Sequence, residues 1–409
     1  MINLSLNKKV LLFGFIFTFF SSFGQSFFLG LFNPSIRNEL NITHGQFGTI
    51  YASATICSSL LLIWFGKKID DIRLFNYSLI VIGILFFSSL FFSFITNIYL
   101  LIVAIFLMRF SGQGLMSHTS STTISRYFNR RRGKALSGIW FGLSSAEFFL
   151  PILIIFLLSI FSWRVIWQFI SIIIIIILPI LVFYTIKNVT IDSREDNILK
   201  NDKKDFKDIK NWKRSEVLKD FKFYIISLNM LAMPWIATGV FIYQSFIAES
   251  RMWGKYIIPQ SFMIYSITSI LTLIASGFLV DRFTSRKLIP FMNLPLLLGL
   301  IILYFFDLSY SAYLFFGLLG ASNGLANVLG ASTWAEIYGV RYLGGIRALT
   351  TALMVFSTAF GTALFGALID NGYTIDHIAL ISIIYISLSL SFLLMIKRSV
   401  EPINTIKKT

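Results

Sequence analysis

The chain has 409 residues, of which 56% are hydrophobic and only 13% are charged, and its mean hydropathy is +0.77. Soluble domains carry about 25% charged residues, and a soluble fold of this length lacks the interior to hide so much apolar surface. The net charge of +16 would suit a nucleic-acid-binding protein, but the basic residues lie in short segments between long apolar runs. Composition therefore excludes a soluble domain and indicates a protein embedded in a lipid bilayer.

Twelve apolar runs are each long enough to cross a bilayer as a helix, which takes about 20 residues. Each run is about twice as long as a membrane barrel strand, so helices are predicted rather than strands. The predicted spans cover about residues 10–32, 47–65, 75–95, 98–124, 135–160, 165–186, 221–247, 257–280, 287–306, 312–334, 348–369 and 377–396. The first span follows Lys8 and Lys9 as a signal peptide would, but its length and the spans behind it favour a membrane helix.

The positions of lysine and arginine predict the orientation, because these residues concentrate in cytoplasmic segments. With a cytoplasmic N-terminus, 30 of the 35 basic residues fall on the cytoplasmic side and 4 in outer loops, while Arg109 lies inside a span. The reverse orientation would put those 30 residues on the wrong side. We therefore predict that both termini are cytoplasmic.

The longest break in hydrophobicity, from Lys187 to Asp220, separates six spans from six and is rich in Lys, Asp and Asn. It is interpreted as a solvated linker, with binding of anionic lipid headgroups as the alternative. The predicted domains are an N-terminal six-helix bundle over 1–186, a cytoplasmic linker over 187–220, and a C-terminal six-helix bundle with a short cytoplasmic tail over 221–409.

Two loops, one in each half, place an acidic residue four positions after a glycine. Their residues are Gly66, Asp70, Asp71 and Arg73 in the first loop, and Gly277, Asp281, Arg282, Arg286 and Lys287 in the second. The distance from loop glycine to a later glycine is also repeated, because Gly66 to Gly114 is 48 residues and Gly277 to Gly324 is 47. Two parallel halves are typical of alternating-access transporters.

These loops resemble the motif Gly-x-x-x-Asp-Arg-x-Gly-Arg-Arg/Lys of the major facilitator superfamily, and the chain resembles that family over essentially its whole length. The second copy fits well, with Thr284 in place of the second glycine, whereas the first departs at Asp71 and Arg73. The resemblance implies an all-α membrane protein with twelve transmembrane helices in two pseudo-symmetric six-helix bundles.

Three further stretches carry narrower resemblances. In the fourth span, an arginine followed by spaced glycines resembles the second motif of the family, with the residues Arg109, Gly112 and Gly114. The segments 126–151 and 336–347 resemble bacterial monocarboxylate and oxalate/formate transporters, which implies a location in the bacterial inner membrane. The Gly-Pro pattern of drug–proton antiporters is missing from the fifth span, which makes drug efflux a weaker hypothesis.

Arg109 and Glu147 are the charged residues predicted deep inside spans. A charge at the bilayer centre costs about 2.5–3.5 kcal/mol on insertion scales, so such residues usually face a cavity. Two interpretations stand: a substrate and proton site, or a structural ion pair that holds the fourth and fifth spans together. Arg109 keeps its charge and suits a small organic anion such as a monocarboxylate, while Glu147 can carry a coupled proton.

Polar residues in the first, fourth, seventh and tenth spans are further candidates, because these helices line the central cavity in the family. The substrate-binding candidates are Gln25, Gln113, Tyr243, Gln244, Asn323 and Asn327. His118 is interpreted as a hydrogen-bonded packing residue, with proton relay as the alternative. The gating motif implied by the resemblance comprises Gly66, Asp70, Arg73, Gly277, Asp281, Arg282 and Arg286.

A helix N-terminus attracts a carboxylate by about 0.3–1 kcal/mol, so each motif aspartate is expected beside one. Asp281 is expected near residues 130–135 and Asp70 near 344–348, and both contacts should break on opening to the cytoplasm.

Other classes of protein fit poorly. With Cys57, three histidines and no His-Glu-x-x-His pattern, the sequence predicts no metal site, no cofactor and no enzyme. An ATP-driven pump would need a phosphate-binding loop of the Gly-x-x-x-x-Gly-Lys-Ser/Thr type, which is missing. A channel is the remaining rival. The preferred function is a monomeric secondary transporter that carries a small organic anion with protons; its alternative is anion exchange with Arg109 and Glu147 as a permanent pair.

Overall fold

The structure is a computed structural model that describes residues 4–128, 132–187, 189, 210–339 and 342–396. Regular secondary structure in these ranges is entirely helical, and twelve helical segments are long and apolar enough to cross a membrane. The predicted all-α fold with twelve spans is therefore confirmed.

We number the twelve spanning segments α1 to α12 in chain order. They are α1 (Leu4–Ser21 and Ser26–Leu40), α2 (His44–Lys67), α3 (Leu74–Phe92), α4 (Ile98–Tyr127), α5 (Arg132–Leu158), α6 (Trp163–Ile186), α7 (Phe221–Ile242 and Gln244–Ser250), α8 (Ile257–Phe283), α9 (Leu294–Phe305), α10 (Ser309–Tyr338), α11 (Leu343–Asp370) and α12 (Ile375–Met395). A four-residue helix, Arg214–Val217, precedes α7, and two short turns, Ser285–Leu288 and Ile289–Phe291, precede α9.

Helix starts follow local capping chemistry. Thr43 and Gln46 form a reciprocal capping box at the start of α2, with Thr43 Oγ1 accepting from Gln46 N at 3.2 Å and Gln46 Oε1 accepting from Thr43 N at 2.9 Å. Asn97 caps α4 by accepting from Leu100 N at 3.0 Å. Such caps contribute about 1 kcal/mol each and fix where each span enters the bilayer.

The first span extends beyond its predicted end at residue 32, because α1 continues through Pro34 to Leu40. The segment is held on its outer turns by Asn33, whose Nδ2 donates to Ile242 O at 2.8 Å and whose Oδ1 accepts from Arg37 Nε at 2.9 Å. These bonds tie the part of α1 around Pro34 to the end of the first helix of α7 and to the next turn of α1 itself.

The chain forms two compact units. The first comprises residues 1–195 together with the short pieces 241–245 and 362–370, and the second comprises 196–240, 246–361 and 371–409. Within the first unit α1 packs on α5, α2 on α4, and α3 on α6; within the second, α8 packs on α10 and α9 on α12.

Two spans of the first unit have irregular backbone at mid-length. α1 is interrupted by a 3-10 turn, Ser22–Gly24, and by Gln25 in extended conformation. α4 winds as a π-helix over Arg109–Met116 between two α-helical parts, Ile98–Met108 and Ser117–Tyr127. In a membrane, irregular backbone is tolerated where protein buries it or where it lines a cavity, so these segments direct attention to the functional site.

Candidate functional site

Arg109 begins the π-helix of α4 and is 96% buried, with 4% of its surface exposed. Its Nε donates to Thr55 Oγ1 at 3.1 Å, and one terminal nitrogen donates to Gly24 O at 3.0 Å. The guanidinium carbon lies 5.1 Å from the centre of the Tyr51 ring, a cation–π contact that contributes about 0.5–2 kcal/mol. Three neutral groups from α1 and α2 therefore hold a buried positive charge.

Glu147 is buried on α5, with 7% of its surface exposed, and makes no hydrogen bond or ion pair within the described part of the chain. It lies five residues beyond Gly142, whose Cα packs against Phe15 O and Thr18 Oγ1 of α1. At 1.5 Å per residue, Glu147 and Gly24 differ by roughly 5 Å or less along the helix axes. Glu147 thus lies at about the same depth as Gly24 and the Arg109 guanidinium that binds Gly24 O.

The structural ion pair between Arg109 and Glu147 is not formed. The ion pairs of the first unit's described residues join other partners, namely Lys68–Asp71, Arg126–Asp70 and Arg164–Glu39. The alternative that used this pair as a permanent link between α4 and α5 is therefore corrected. The physical reason is that Gly24, Thr55 and Tyr51 hold the guanidinium from the side of α1 and α2, although they leave some of its donors unused.

The π-helix of α4 contains the extra residue that makes the first repeat one residue longer than the second. Up to the start of α4 the halves are offset by a constant 211 positions, as the pairs Asp70/Asp281 and Asn97/Leu308 show by subtraction. Within the π-helix the offset has already fallen to 210, as the pair Gly114/Gly324 shows. One extra residue therefore enters α4 between positions 97 and 114, where the chain winds with i→i+5 bonding, a feature frequent at functional sites.

The repeat lacks this site's chemistry in the second unit. At the offset of 211, Arg109 corresponds to Gly320, Tyr51 to Phe262 and Thr55 to Ser266. α10 runs as an α-helix without a π-segment over Ser309–Tyr338, and Gly320 packs against Tyr265 O and Thr268 Oγ1 of α8. The fixed charge is thus a property of one half.

Backbone contact between α1 and α4 is close at this point. A Cβ added to Gly24 would lie 2.3 Å from Met108 O and 2.5 Å from Gln113 N, and one added to Gly112 would lie 2.6 Å from Gly24 N. Both positions require glycine, because the two irregular segments touch main chain to main chain. This contact brings Gly24 O to Arg109.

The other predicted binding residues of the first unit differ in how deeply they are buried. Gln25, in the α1 break, and Gln113, in the π-helix, are half-buried. Tyr243 and Gln244 are buried and bound to backbone: Tyr243 Oη lies 2.9 Å from His44 O and 3.0 Å from Thr362 O, and Gln244 Nε2 donates to Phe27 O at 2.9 Å.

Carbonyl oxygens only accept hydrogen bonds, so the Tyr243 hydroxyl must keep its proton to bind them. The hydroxyl is therefore a neutral donor to those carbonyls. In this structure Tyr243 and Gln244 join helix segments of the first unit rather than presenting free polar groups.

In the second unit, Asn323 Nδ2 donates to Ser269 Oγ at 2.9 Å, and Asn327 is exposed. In the first unit, His118 Nε2 lies 3.1 Å from Gly66 O, so the ring ties α4 to the end of α2. This contact fits the packing interpretation of His118; its proton-relay alternative stays a prediction.

The gating motifs make different local contacts in the two units. Asp70 pairs with Arg126 of α4, and Arg73 is the N-cap of α3. In the second motif Asp281 is exposed, and the guanidinium of Arg282 lies 5.3 Å from the Phe283 ring.

At the position that corresponds to Arg126, the second unit has Glu336, whose carboxylate accepts from Ser285 N at 2.8 Å and Arg286 N at 3.1 Å. The loop after Gly277 is therefore tied to α10 by main-chain donors rather than by an ion pair. The segment 130–135 expected beside Asp281 begins outside the described residues, and both gating contacts stay predictions.

Sequence reasoning missed Tyr51 and Thr55, the two α2 side chains that hold Arg109. Their signal is the helical spacing i, i+4, which places both on one face of α2; an aromatic and a hydroxyl at that spacing are common in any membrane helix, so the pattern alone is weak. Among the described residues no group of three His, Cys, Asp or Glu side chains is placed to hold a metal ion.

Comparison with known proteins identifies the family. The model of the Major Facilitator Superfamily matches residues 14–362. A crystal structure of a bacterial homolog of the human lysosomal transporter Spinster superposes with a TM-score of 0.73 and 13% identity, covering 97% of this chain and 98% of that one.

The nucleoside transporter NupG superposes with a TM-score of 0.69 and 15% identity, covering 97% of this chain and 99% of that one. At these identities the likeness shows the fold alone, and no curated protein matches the sequence. The family model covers most of the chain, and the protein is a multi-pass secondary transporter of the Major Facilitator Superfamily.

Proposed function

We propose that this transporter moves a small organic anion, of which a monocarboxylate is the best candidate, together with a proton by alternating access. The observation that carries the proposal is the buried guanidinium of Arg109, which no carboxylate neutralises among the described residues. Arginine has five N–H donors in a planar fork suited to a carboxylate, and Thr55 and Gly24 occupy only two of its nitrogens. The remaining donors are available to an anion.

Glu147 is the candidate for the proton. An ionised carboxylate inside a membrane span is costly unless it is paired, and Glu147 has no partner in the described residues. If Glu147 binds a proton when the anion occupies Arg109, both charges are matched while the loaded carrier reorients. Anion exchange remains the second candidate, in which Glu147 takes no part in coupling.

Purified protein in liposomes tests this proposal. An inward proton gradient should drive uptake of labelled monocarboxylates, and Arg109→Gln should reduce uptake about 100-fold or more, because hydrogen bonds to a charged group contribute about 1.5–3 kcal/mol each. Arg214→Gln removes an exposed arginine of the short helix before α7 and should transport like the parent chain.

Glu147→Gln separates the two candidates. Proton-coupled symport predicts that this variant loses accumulation against a gradient and keeps anion exchange. Exchange without coupling predicts that it transports like the parent. If Arg109→Gln transports normally, the anion site is wrong and Arg109 is structural.

We extend the proposal to the setting of the protein. The excess of cytoplasmic basic residues supports termini on the cytoplasmic face of a bacterial inner membrane. The protein is proposed to act as a monomer. Labelling of single cysteines introduced at both termini, in spheroplasts and in inverted vesicles, tests the orientation.

A further inference from the structure

The break in α1 exposes the N-terminus of a half-helix in the middle of the membrane. The 15-residue helix Ser26–Leu40 starts after Gln25, whose φ of −83° and ψ of 154° are extended, and no side chain caps it. Its first hydrogen bond is donated by Leu29 to Gln25 O at 3.1 Å. The N–H groups of Ser26 and Phe28 precede that bond, and the helix itself supplies no acceptor for them.

Backbone N–H groups that their own helix leaves unpaired are unusual at a buried position. Phe28 is fully buried and Ser26 half-buried, and buried backbone N–H groups are nearly always paired in native structures. In the bilayer each unpaired group costs several kcal/mol. A ligand or water that accepts from these donors would remove the cost, and the helix dipole at this end favours an anion.

A side chain independently points to a ligand at the same place. Tyr51 is fully buried and its hydroxyl has no hydrogen-bond partner. That hydroxyl lies within interaction distance of the Ser26 side chain and the Arg109 guanidinium, at the start of the half-helix. Ser22, in the turn that precedes Gln25, also carries a fully buried hydroxyl without a partner.

We infer that the carboxylate of the transported anion binds at the α1 break, between the N-terminus of Ser26–Leu40 and Arg109. The backbone N–H groups of Ser26 and Phe28 donate to it, the Tyr51 hydroxyl donates from α2, and the free guanidinium donors of Arg109 complete the site. This inference rests on the proposed anion-binding role of Arg109 and adds a main-chain cradle to it. It also explains why α1 is interrupted at the depth of Arg109.

A proline substitution removes one main-chain donor without disturbing the helix. Proline is favoured at the first position of a helix, where its missing N–H is not needed for intrahelical bonding, and it requires an extended residue before it, which Gln25 already is. Ser26→Pro therefore deletes the N–H and the hydroxyl of Ser26 while the helix keeps its own hydrogen bonds. Ser26→Ala removes only the hydroxyl, and Arg214→Pro places proline at the first position of a helix of the second unit, also behind an extended residue.

The readout is the stabilisation of purified protein against heat by a series of carboxylates: formate, acetate, lactate, pyruvate and oxalate. Ser26→Pro should raise the apparent Kd of the best carboxylate about tenfold or more, the loss of one hydrogen bond to a charged acceptor. Tyr51→Phe, which keeps the ring on Arg109, should raise it by a similar factor. Ser26→Ala should lose less than Ser26→Pro, and Arg214→Pro should bind like the parent.

The outcomes separate the inference from the proposed function. If Arg109→Gln loses carboxylate stabilisation while Ser26→Pro and Tyr51→Phe keep it, the anion site stands and the main-chain cradle is wrong. If no carboxylate stabilises the parent, or Arg109→Gln is stabilised equally, the proposed function and this inference both fail. A Ser26→Pro protein that melts like the parent without ligand but needs tenfold more carboxylate supports the cradle directly.

Discussion

The α2–α4 corner of the first unit and the α8–α10 corner of the second are built on one repeat but differ in chemistry. The first combines Arg109 with Tyr51 and Thr55 on a π-helix, while the second has Gly320, Phe262 and Ser266 along a regular helix. The same helix pairs pack in both units. The scaffold is thus duplicated while the buried charge is confined to one copy, so the proposed anion site draws unequally on the two halves.

The extra residue of α4 is the feature whose removal should have the largest effect on transport. Deleting one residue from a helix rotates one flank by about 100° and shifts it by 1.5 Å. In a chain that lacks Ser111, Arg109 and the lower part of α4 cannot both keep their contacts. We expect transport to fall about 100-fold or more, as for Arg109→Gln. Ser111→Ala, which keeps the residue count and loses one hydrogen bond to Leu107 O, should transport nearly normally.

A cysteine pair at positions 70 and 126 shows which flank moves in the deletion. These positions form an ion pair in the structure, so cross-linking should persist if the lower part of α4 keeps its register and Arg109 rotates away. Loss of cross-linking would mean that Arg109 holds its place. Full transport in the deletion variant would show that the π-helix does not position Arg109.

Disturbing the close packing at the α1 break should give the next largest effect, measured as a loss of stability. Gly24→Ala introduces a Cβ 2.3 Å from Met108 O, so α1 and α4 must separate, and overpacking of this kind costs about 1–3 kcal/mol. Gly83→Ala in α3 is the matched control, because no atom lies within 4 Å of its added Cβ. It should be neutral or slightly stabilising, since alanine favours helix by about 0.5–1 kcal/mol. Melting of the detergent-solubilised variants measures both, and equal Tm values would contradict the tight contact.

The smallest expected effect comes from replacing the central residue of either of two ion-pair clusters. This central residue is acidic in the first unit and basic in the second. In the first unit Glu39 accepts from Trp163 and Arg164; in the second, Arg251 pairs with Asp307 and Asp376. The Arg251 side chain is only 7% exposed, whereas that of Glu39 is 45% exposed. Exposed pairs contribute about 0–1 kcal/mol, whereas replacing the buried Arg251 removes two carboxylate contacts and a bond to Leu303 O at once.

Arg251→Gln should therefore lower the Tm more than Glu39→Gln does. The same ranking should hold at high salt, which screens exposed charges more strongly than buried ones. A larger fall in Tm for Glu39→Gln than for Arg251→Gln would contradict this ranking. It would show that exposure does not determine how much each cluster contributes to stability.

The sequence alone determined the number of spans and the family, because lipid requires about 20 apolar residues for each helix and the loop motifs leave a local signature. It also located Arg109 and Glu147, since a charge inside a span is rare and easily recognised. The two repeated glycines are 48 residues apart in the first half and 47 in the second, which reflects the extra residue in α4. The count does not show that the chain accommodates this residue as a π-helix.

Tertiary structure decided what surrounds those charges. The partners of Arg109 are a carbonyl on α1 and two side chains on α2, between 54 and 85 positions away along the chain, and no local pattern links residues so far apart. The expectation of a pair with Glu147 rested on shared depth, which is necessary but does not fix the direction in which a side chain points. The break at Gln25 likewise lies where Gly24 contacts the π-helix main chain to main chain, and packing of this kind has no period in sequence.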